Sequence, residues 1–552
     1  VITSKIIGLI ERLERADIPF WQVAFLFLAA SFIRGFLEVF VNSNNYGLVT
    51  GFVDIFFTYP SFFLLIFLAT IVILKLSTKD SLKKISNVVA IGSFVILIPP
   101  IIDLIYHLGH PVAYNYVAGS YLDLLVHFFT FFAYNGSFGF GIKFEIALAL
   151  IVTFIYMIAK TRRWLTSCFA VLAIYAVIFT ALTIPVHIFA LDDAFTGFKV
   201  PITERGMGDF YFSQTSGVPG PMAHTFLADS SIRTSPVDAA YINAFSIVVA
   251  DSQWLIVLAL LAAIAFIHSK ANAISAIKNF RFGRIAHYSL LVIAGSLLAS
   301  RGAPVLHGFP GLFQVMSVLT TIFAFCSAWL FSVWENDAED LDIDSVSNQD
   351  RPLVNGSFGL VEWNIYKWAF FIPALIFGYL SGYYVLIFVL MYLLIYHLYS
   401  APPFRLKKVI GLSSIMIGAN CVLAMFAGYF AASGNIILTS FPFNIGWGAF
   451  ILFALSENVK NLKDIEGDRK AGIMTLPVLL GEKWGKPVIG AIVACCAAIL
   501  PLLGGYHMLT FLTGVFFGTI IFFVINRKDF REGPFFLVYI VYLIVILFEV
   551  FG

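Results

Sequence analysis

Residues 312–344 read LFQVMSVLTTIFAFCSAWLFSVWENDAEDLDID. Up to Trp334 this stretch holds no charged residue, whereas Glu335–Asp344 puts six carboxylates into ten residues. An apolar run of that length suits a helix across a bilayer. Clustered carboxylates at its end cannot lie in hydrocarbon and are usually functional where they meet a membrane. The junction at Trp334–Glu335 therefore reads as a membrane surface with a cation-binding face.

The rest of the chain repeats the first half of that pattern. Of 552 residues, 60% are hydrophobic and 12% charged, with 60 Phe; soluble domains carry about 25% charge. This excludes a soluble enzyme, a nucleic-acid binder and a disordered chain, and a net charge of +2 points to no polyanionic partner. The apolar runs are continuous, not alternating, which excludes a transmembrane barrel. The five cysteines (Cys168, Cys326, Cys421, Cys495 and Cys496) lie in apolar runs with no metal spacing and read as small buried hydrophobes.

The expected fold is an all-α polytopic membrane protein of about fifteen spans. Six lie near 18–41, 51–76, 86–106, 141–160, 165–190 and 241–268. Nine more lie near 285–302, 312–334, 364–380, 383–400, 409–431, 439–458, 485–503, 507–525 and 534–551. The basic segment 269–284 divides them into a six-helix domain, 1–270, and a nine-helix domain, 271–552. Residues 1–17 read as an amphipathic interfacial helix, not as a signal peptide. Alternate loops are rich in Lys and Arg, which predicts a cytoplasmic N-terminus, cytoplasmic acidic clusters and a C-terminus on the opposite side. Tyr121–Phe132 reads as a helix lying in the interface, and 191–240 as a long polar non-cytoplasmic loop.

A second acidic cluster, ENVKNLKDIEGDRKAG at 457–472, also follows an apolar span at a cytoplasmic end. Asp337, Asp340 and Asp344 stand at i, i+3 and i+7, and Asn461, Asp464 and Asp468 repeat that spacing, so each set would share a helix face. Two such faces suit hard divalent cations, with Mg²⁺ held by carboxylates, waters and substrate phosphates. Metal ions bridging a diphosphate would neutralise its charge as it leaves. Lys463, Arg469 and Lys407 could bind the remaining phosphate oxygens. The bland alternative for each cluster is a solvated loop; matched spacing at matched helix ends argues against it. An EF-hand is excluded, because its glycine and terminal glutamate are not in place.

These residues resemble motifs of the UbiA superfamily of intramembrane prenyltransferases. Asn336-Asp337-x-x-Asp340-x-x-x-Asp344 is similar to its first motif, continued by Asn348-Gln349-Asp350-Arg351-Pro352. Asp464-Ile465-Glu466-Gly467-Asp468 is similar to the second, and Tyr399-Ser400-Ala401-Pro402-Pro403-Phe404-Arg405-Leu406-Lys407 resembles the loop between them. Asn461 stands where many members carry an aspartate. The resemblance covers about 275–552 and implies a nine-helix UbiA-type bundle. It implies an enzyme, a Mg²⁺-dependent prenyltransferase, with metal ligands Asp337, Asp340, Asp344, Asp464 and Asp468. Of these, Asp337, Asp340, Asp464 and Asp468 would be the catalytic set. Asn336, Tyr399, Arg405, Lys407, Lys463, Arg469 and Arg284, or Arg281 in place of Arg284, would hold the substrates. The donor would be an isoprenyl diphosphate with its tail in an apolar tunnel open to membrane lipid. The acceptor would be lipid-soluble or amphiphilic: an aromatic or quinone precursor first, a tetrapyrrole or glycerol-phosphate lipid otherwise. The alternative is a non-catalytic assembly or transport subunit that retains the fold.

Residues 1–270 resemble no named family. Asp103, His107, His110 and His127 fall near one boundary and are polar interface groups more readily than a metal site. Arg34 and Glu38, at i, i+4, could pair within the first span, and Asp251 is a second intramembrane acid. This half could dock a protein partner or deliver lipid.

Overall fold

A computed structural model describes residues 2–42, 52–106, 121–132, 140–188, 236–300, 309–347, 349–409, 411–433, 437–463, 465–470, 472, 474–505 and 507–551. A few side chains inside helices, Asp103 and Asp468 among them, lie outside that description. Every regular element among the described residues is helical. Among the described residues fourteen helices are long and apolar enough to cross a membrane, so the chain is a multi-pass α-helical membrane protein. The described residues divide between two compact units, the first holding those up to 270 together with 309–312 and the second those of 271–300 and from 313 onward.

In the first unit the helices are α1 Ile2–Glu14, α2 Phe20–Asn42, α3 Tyr59–Thr78, α4 Leu82–Gly92, α5 Ile98–Tyr106, α6 Tyr121–Phe129, α7 Phe140–Thr161, α8 Trp164–Leu182 and α9 Pro236–His268. A π-helical turn, Asp54–Thr58, precedes α3, and a 3-10 turn, Ser93–Leu97, joins α4 to α5. Buried Phe63, Phe67, Ile71 and Leu74 make α3 the centre, packed by α2, α4, α8 and α9. The amphipathic α1 is tied to the bundle at its end. Glu14 there takes Lys160 at 2.9 Å and the Tyr156 hydroxyl at 3.1 Å, and Asn87 Nδ2 donates to Ala16 O at 2.6 Å. Arg34 and Glu38 pair inside α2, Nε donating to Oε1 at 2.5 Å, with Glu145 at 3.5 Å from the same guanidinium. Asp251 is fully buried, and its side chain has no hydrogen-bond partner among the described residues. The interfacial helix expected at 121–132 is α6, three residues shorter. The expected sixth span begins earlier, at Pro236. The loop 191–235, His107 and His110 lie outside the described residues, so no acid–histidine cluster is described there.

The second unit begins with α10 Lys270–Lys278, which runs from the last residue of the first, α11 Phe282–Ser300, α12 Phe309–Glu339 and α13 Leu341–Ser347. It continues with α14 Leu360–Leu380, α15 Tyr383–Ser400, α16 Leu412–Ser433 and α17 Phe443–Ser456. It ends with α18 Ile465–Lys470, α19 Leu476–Ile499, α20 Met508–Ile525 and α21 Glu532–Phe551. Its tightest pairing is α11 on α16. A Cβ on Gly295 would stand 1.9 Å from Met425 O, and one on Gly428 1.9 Å from Val292 O. Lipid supplies no hydrophobic drive between helices, so close backbone contact at small residues does that work.

One expected span is altered. At 439–458 the structure has α17, only 14 residues long, followed by a 3-10 turn, Glu457–Leu462. At about 1.5 Å per residue α17 rises about 21 Å, short of the ~30 Å hydrocarbon core. An apolar run fixes burial, but not where the ladder tightens from i→i+4 to i→i+3.

Candidate functional site

The first acidic segment is held by aromatic packing behind it. Trp334 and Trp363 are fully buried and stacked at 4.9 Å, and Trp363 Nε1 donates to Trp334 O at 2.8 Å. This fixes the end of α12 one turn before Asp337. The helical ladder then runs on past the helix end, Asp340 N to Asn336 O at 2.9 Å and Asp344 N to Asp340 O at 2.8 Å.

The three aspartates divide into two partner sets. Asp337, 1% exposed, accepts from Arg281 Nη2 at 2.6 Å and Arg351 Nη1 at 2.8 Å on Oδ1, and from Asn279 Nδ2 at 3.0 Å on Oδ2. Arg351 also pairs with Asp344. Asp340 accepts from Arg405 Nη2 at 2.7 Å and pairs with Lys407. Asn336 Oδ1 accepts from Ser400 Oγ at 2.8 Å and Lys407 Nζ at 3.1 Å. Burial acts to raise the Asp340 carboxyl, but Lys407 and Arg405 outweigh it and hold the group below the usual carboxylate range. Lys407 is itself held below the usual amine value, by burial first and then by Arg405 and Lys460, against the pull of Asp340.

Two of these arginines have left-handed backbone, Arg281 at φ 53° and Arg405 at φ 43°. That region costs a non-glycine residue of order 1–3 kcal/mol and collects at functional sites. Here it turns both guanidiniums back onto the aspartates from short connections, one before α11 and one after α15.

The second segment is not one helix face. Asn461 lies buried in the 3-10 turn, Lys463 follows it, and Asp468 lies in α18. The 3-10 turn ends at Leu462 and α18 begins at Ile465, while Asp464 and the Asp468 side chain, two members of the i, i+3, i+7 set expected there, lie outside the described residues. The two motifs are nonetheless adjacent, since α13 packs against α18. Lys463 is exposed and pairs with Glu532 at 3.3 Å, and Arg469 is exposed.

Beside this cluster lies a partly open cavity with about 70 Å³ of interior space. Its body is apolar, with Phe453, Val493, Leu500, Ile521, Phe535 and Tyr542, and its charged lining groups are Arg284, Glu457, Lys460 and Glu532. Arg284 lies 4.7 Å from the Phe536 ring centre. Thus Arg281, not Arg284, meets the first motif, and Arg284 meets the cavity. Tyr399 stands between the two regions, with Lys407 at 5.9 Å and Lys460 at 4.9 Å from its ring centre. Asn279, Arg351, Glu457 and Lys460 were not singled out as site residues by sequence. Arg351 lies in the quoted motif continuation and Glu457 and Lys460 in the quoted second acidic cluster, whereas Asn279 is an ordinary polar residue until packing turns it inward.

The first-motif donors are all oxygens, three carboxylates and one amide carbonyl, the set a hard divalent cation takes. Among the described residues no three His, Cys, Asp or Glu side chains converge, and Arg281, Arg351, Arg405 and Lys407 occupy the carboxylates of Asp337 and Asp340. The donor chemistry fits Mg²⁺, with these cations as the groups that would exchange partners.

Residues 288–534 match the model of the UbiA prenyltransferase family. Over 200 residues the chain is 28% identical to digeranylgeranylglyceryl phosphate synthase of Methanobrevibacter smithii, covering 35% of this chain and 68% of that one. Over 207 residues it is 28% identical to 2-acylphloroglucinol 4-prenyltransferase of Humulus lupulus, covering 35% of this chain and 48% of that one, so it spans about half the length of the hop enzyme. A solved structure of a UbiA homolog from Archaeoglobus fulgidus bound to GPP and Mg²⁺ aligns at a TM-score of 0.36 and 22% identity, covering 49% of this chain and 99% of that one.

Proposed function

From the membership of the chain's C-terminal half in the UbiA prenyltransferase family, we propose that this protein transfers an isoprenyl group from its diphosphate to an amphiphilic acceptor within the membrane. The observation that carries the reading is the meeting of a cation-ringed aspartate set with an apolar cavity across Tyr399. A lipid diphosphate needs both, a charged site for its head and hydrocarbon for its tail.

In this reading Asp337, Asp340, Asp344, Asp464 and Asp468, with Asn336, hold Mg²⁺, as the relative bound to GPP and Mg²⁺ suggests. When bound, the metal neutralises charge on the leaving diphosphate. The chain's own residues do the rest. Arg281, Arg351, Arg405 and Lys407 release their carboxylates and take phosphate oxygens, Arg in forked geometry. Lys463 and Arg469, exposed at the edge, draw in the diphosphate. Phe453, Val493 and Ile521 exclude water from the tail and from the developing allylic cation.

The acceptor is an amphiphile with a hydroxyl on its head. The names of the two relatives point to a glyceryl phosphate and a phenol, and Arg284 and Lys460 suit either. Residues 1–270 form a separate membrane domain in this reading, which docks a partner or delivers lipid, and the acidic segments face the cytoplasm.

The test is transfer from labelled geranylgeranyl diphosphate to glyceryl phosphate, phenolic and tetrapyrrole acceptors by protein in lipid, with and without Mg²⁺. A labelled lipid that appears only with Mg²⁺, and not with Asp337→Ala/Asp464→Ala, supports the reading and names the acceptor. Undiminished diphosphate in every mixture with folded protein would shift the weight to an assembly or transport subunit.

A further inference from the structure

The cavity wall holds one carboxylate, Glu457, whose partner among the described residues is the Lys460 ammonium alone. The Glu457 side chain is fully buried where α17 passes into the 3-10 turn. Its ion pair is with Lys460, and apart from that neither oxygen accepts a hydrogen bond. The other cavity groups able to take a proton are engaged. Glu532 is paired with Lys463, and His287 has Nδ1 at 2.8 Å from the Tyr539 hydroxyl and Nε2 at 3.3 Å from Cys421 Sγ. Tyr542 donates to Ala497 O at 2.6 Å. A buried carboxylate with idle lone pairs costs free energy until a donor reaches it.

We propose that Glu457 receives the hydroxyl proton of the acceptor, which makes it a catalytic base and limits acceptors to molecules that present an O–H to it. The inference rests on the transferase reading above. In the step, the acceptor bonds to C1 of the prenyl group, through the hydroxyl oxygen of a glyceryl head or through a ring carbon conjugated with the hydroxyl of a phenol. The bond from C1 to the diphosphate oxygen breaks, and diphosphate leaves with the electron pair. The proton passes to Glu457 and returns to water as the product departs. Lys460 pairs with the carboxylate, and its own donation to Tyr399 Oη at 2.9 Å fixes the pair beside the head-group site. The groups facing Glu457 around the cavity are Lys460, Arg284, Glu532, His287 and Tyr539, with Tyr399 behind Lys460.

The experiment compares the full chain with Glu457→Gln and Glu457→Asp in lipid, using labelled geranylgeranyl diphosphate and two acceptor probes, a glyceryl phosphate ether lipid and a phenol. Glu457→Gln is expected to lower kcat by about 100-fold or more, the scale of a lost general base, with diphosphate affinity changed by no more than about twofold. Glu457→Asp should recover part of the rate, and the acid limb of the kcat–pH profile should vanish in Glu457→Gln. Independently of turnover, a carbodiimide should modify Glu457, read by mass spectrometry, and the acceptor probes should protect it where inorganic diphosphate does not. Transfer by Glu457→Gln within about threefold of the parent overturns the base, as does loss of diphosphate binding in step with transfer. Carbodiimide modification that neither probe prevents overturns it too, even when transfer occurs. If the parent neither transfers nor binds diphosphate, it is the transferase reading that fails.

Discussion

Lys460 donates Nζ to Tyr399 Oη at 2.9 Å, from the 3-10 turn after α17 to the last turn of α15. The same ammonium pairs with Glu457. Lys407, which pairs with Asp340 and bonds Asn336, lies 5.9 Å from the Tyr399 ring centre. One phenol thus links the first aspartate set to the cavity wall. Burial opposes the charge on Lys460, but Glu457 outweighs it and raises the ammonium above its usual value, so the link stays cationic at neutral pH.

Tyr399→Phe should therefore damage function more than stability. It leaves Lys460 paired with Glu457 but removes an acceptor from a buried cation, a loss of about 1–3 kcal/mol at most. Transfer should fall by about tenfold, while the thermal midpoint in detergent should move by only a few degrees. A large midpoint drop with transfer per folded molecule unchanged would assign Tyr399 to packing alone.

Asp337→Ala should cost both. Arg281, Arg351 and Asn279 would all lose an acceptor that is 1% exposed. Breaking a buried pair from one side costs about 3–5 kcal/mol, and the lower end applies because Arg281 is about a third exposed. Denaturant unfolding should show that loss, and Asp337→Asn, which still accepts, should recover part of the stability but none of the transfer.

The backbone at Arg405 allows the side chain to be separated from the strain. With φ 43° and ψ 51° the position favours glycine. Arg405→Gly and Arg405→Ala both remove the contact to Asp340, so transfer should fall equally. The glycine variant should nevertheless be the more stable by about 1 kcal/mol in the same unfolding measurement. Equal stability would mean that the left-handed turn relaxes once the guanidinium is gone.

Acid should weaken the site through Asp340. Its folded-state carboxyl lies below the unfolded value near 3.8, so its contribution is complete above that pH and is lost as pH falls through the folded value. The midpoint difference between the parent and Asp340→Asn should shrink as pH drops from about 5 to 2. A difference that stays constant over that window would show that the ion pair contributes nothing.

Helix contact sets a further limit. Gly428→Val would drive a side chain into Val292 O and force α11 from α16, costing about 3 kcal/mol or more. Gly8→Ala, where an added Cβ meets nothing within 4 Å, should be neutral or slightly stabilising, as expected for alanine inside a helix. Unfolding of the two variants in one detergent compares them directly.

Most of the fold was legible in the sequence, because a bilayer admits helices of about 20 apolar residues and little else. Among the described residues fourteen helices of that kind lie where apolar runs predicted them. The apolar run at 439–458 concealed a shortened helix, since its composition reports burial and not hydrogen-bond register. Charge spacing brought out the aspartates in the same direct way. Which cation meets which aspartate stayed hidden, because Asn279, Arg281 and Arg351 reach Asp337 from 58, 56 and 14 residues away.

The sequence by itself determined that this is a membrane-embedded helical protein with carboxylates clustered at its surface, since those features follow from apolar length and charge period along one chain. Only the tertiary structure decided that Asp337 and Asp344 share Arg351 while Asp340 faces Lys407 and Arg405. It alone placed Glu457 and Lys460 on an apolar cavity wall. The physical reason is that ion pairs and cavities depend on distances of a few ångströms between helices, and a close approach such as Gly428 on Val292 sets those distances without leaving a periodic mark in the sequence.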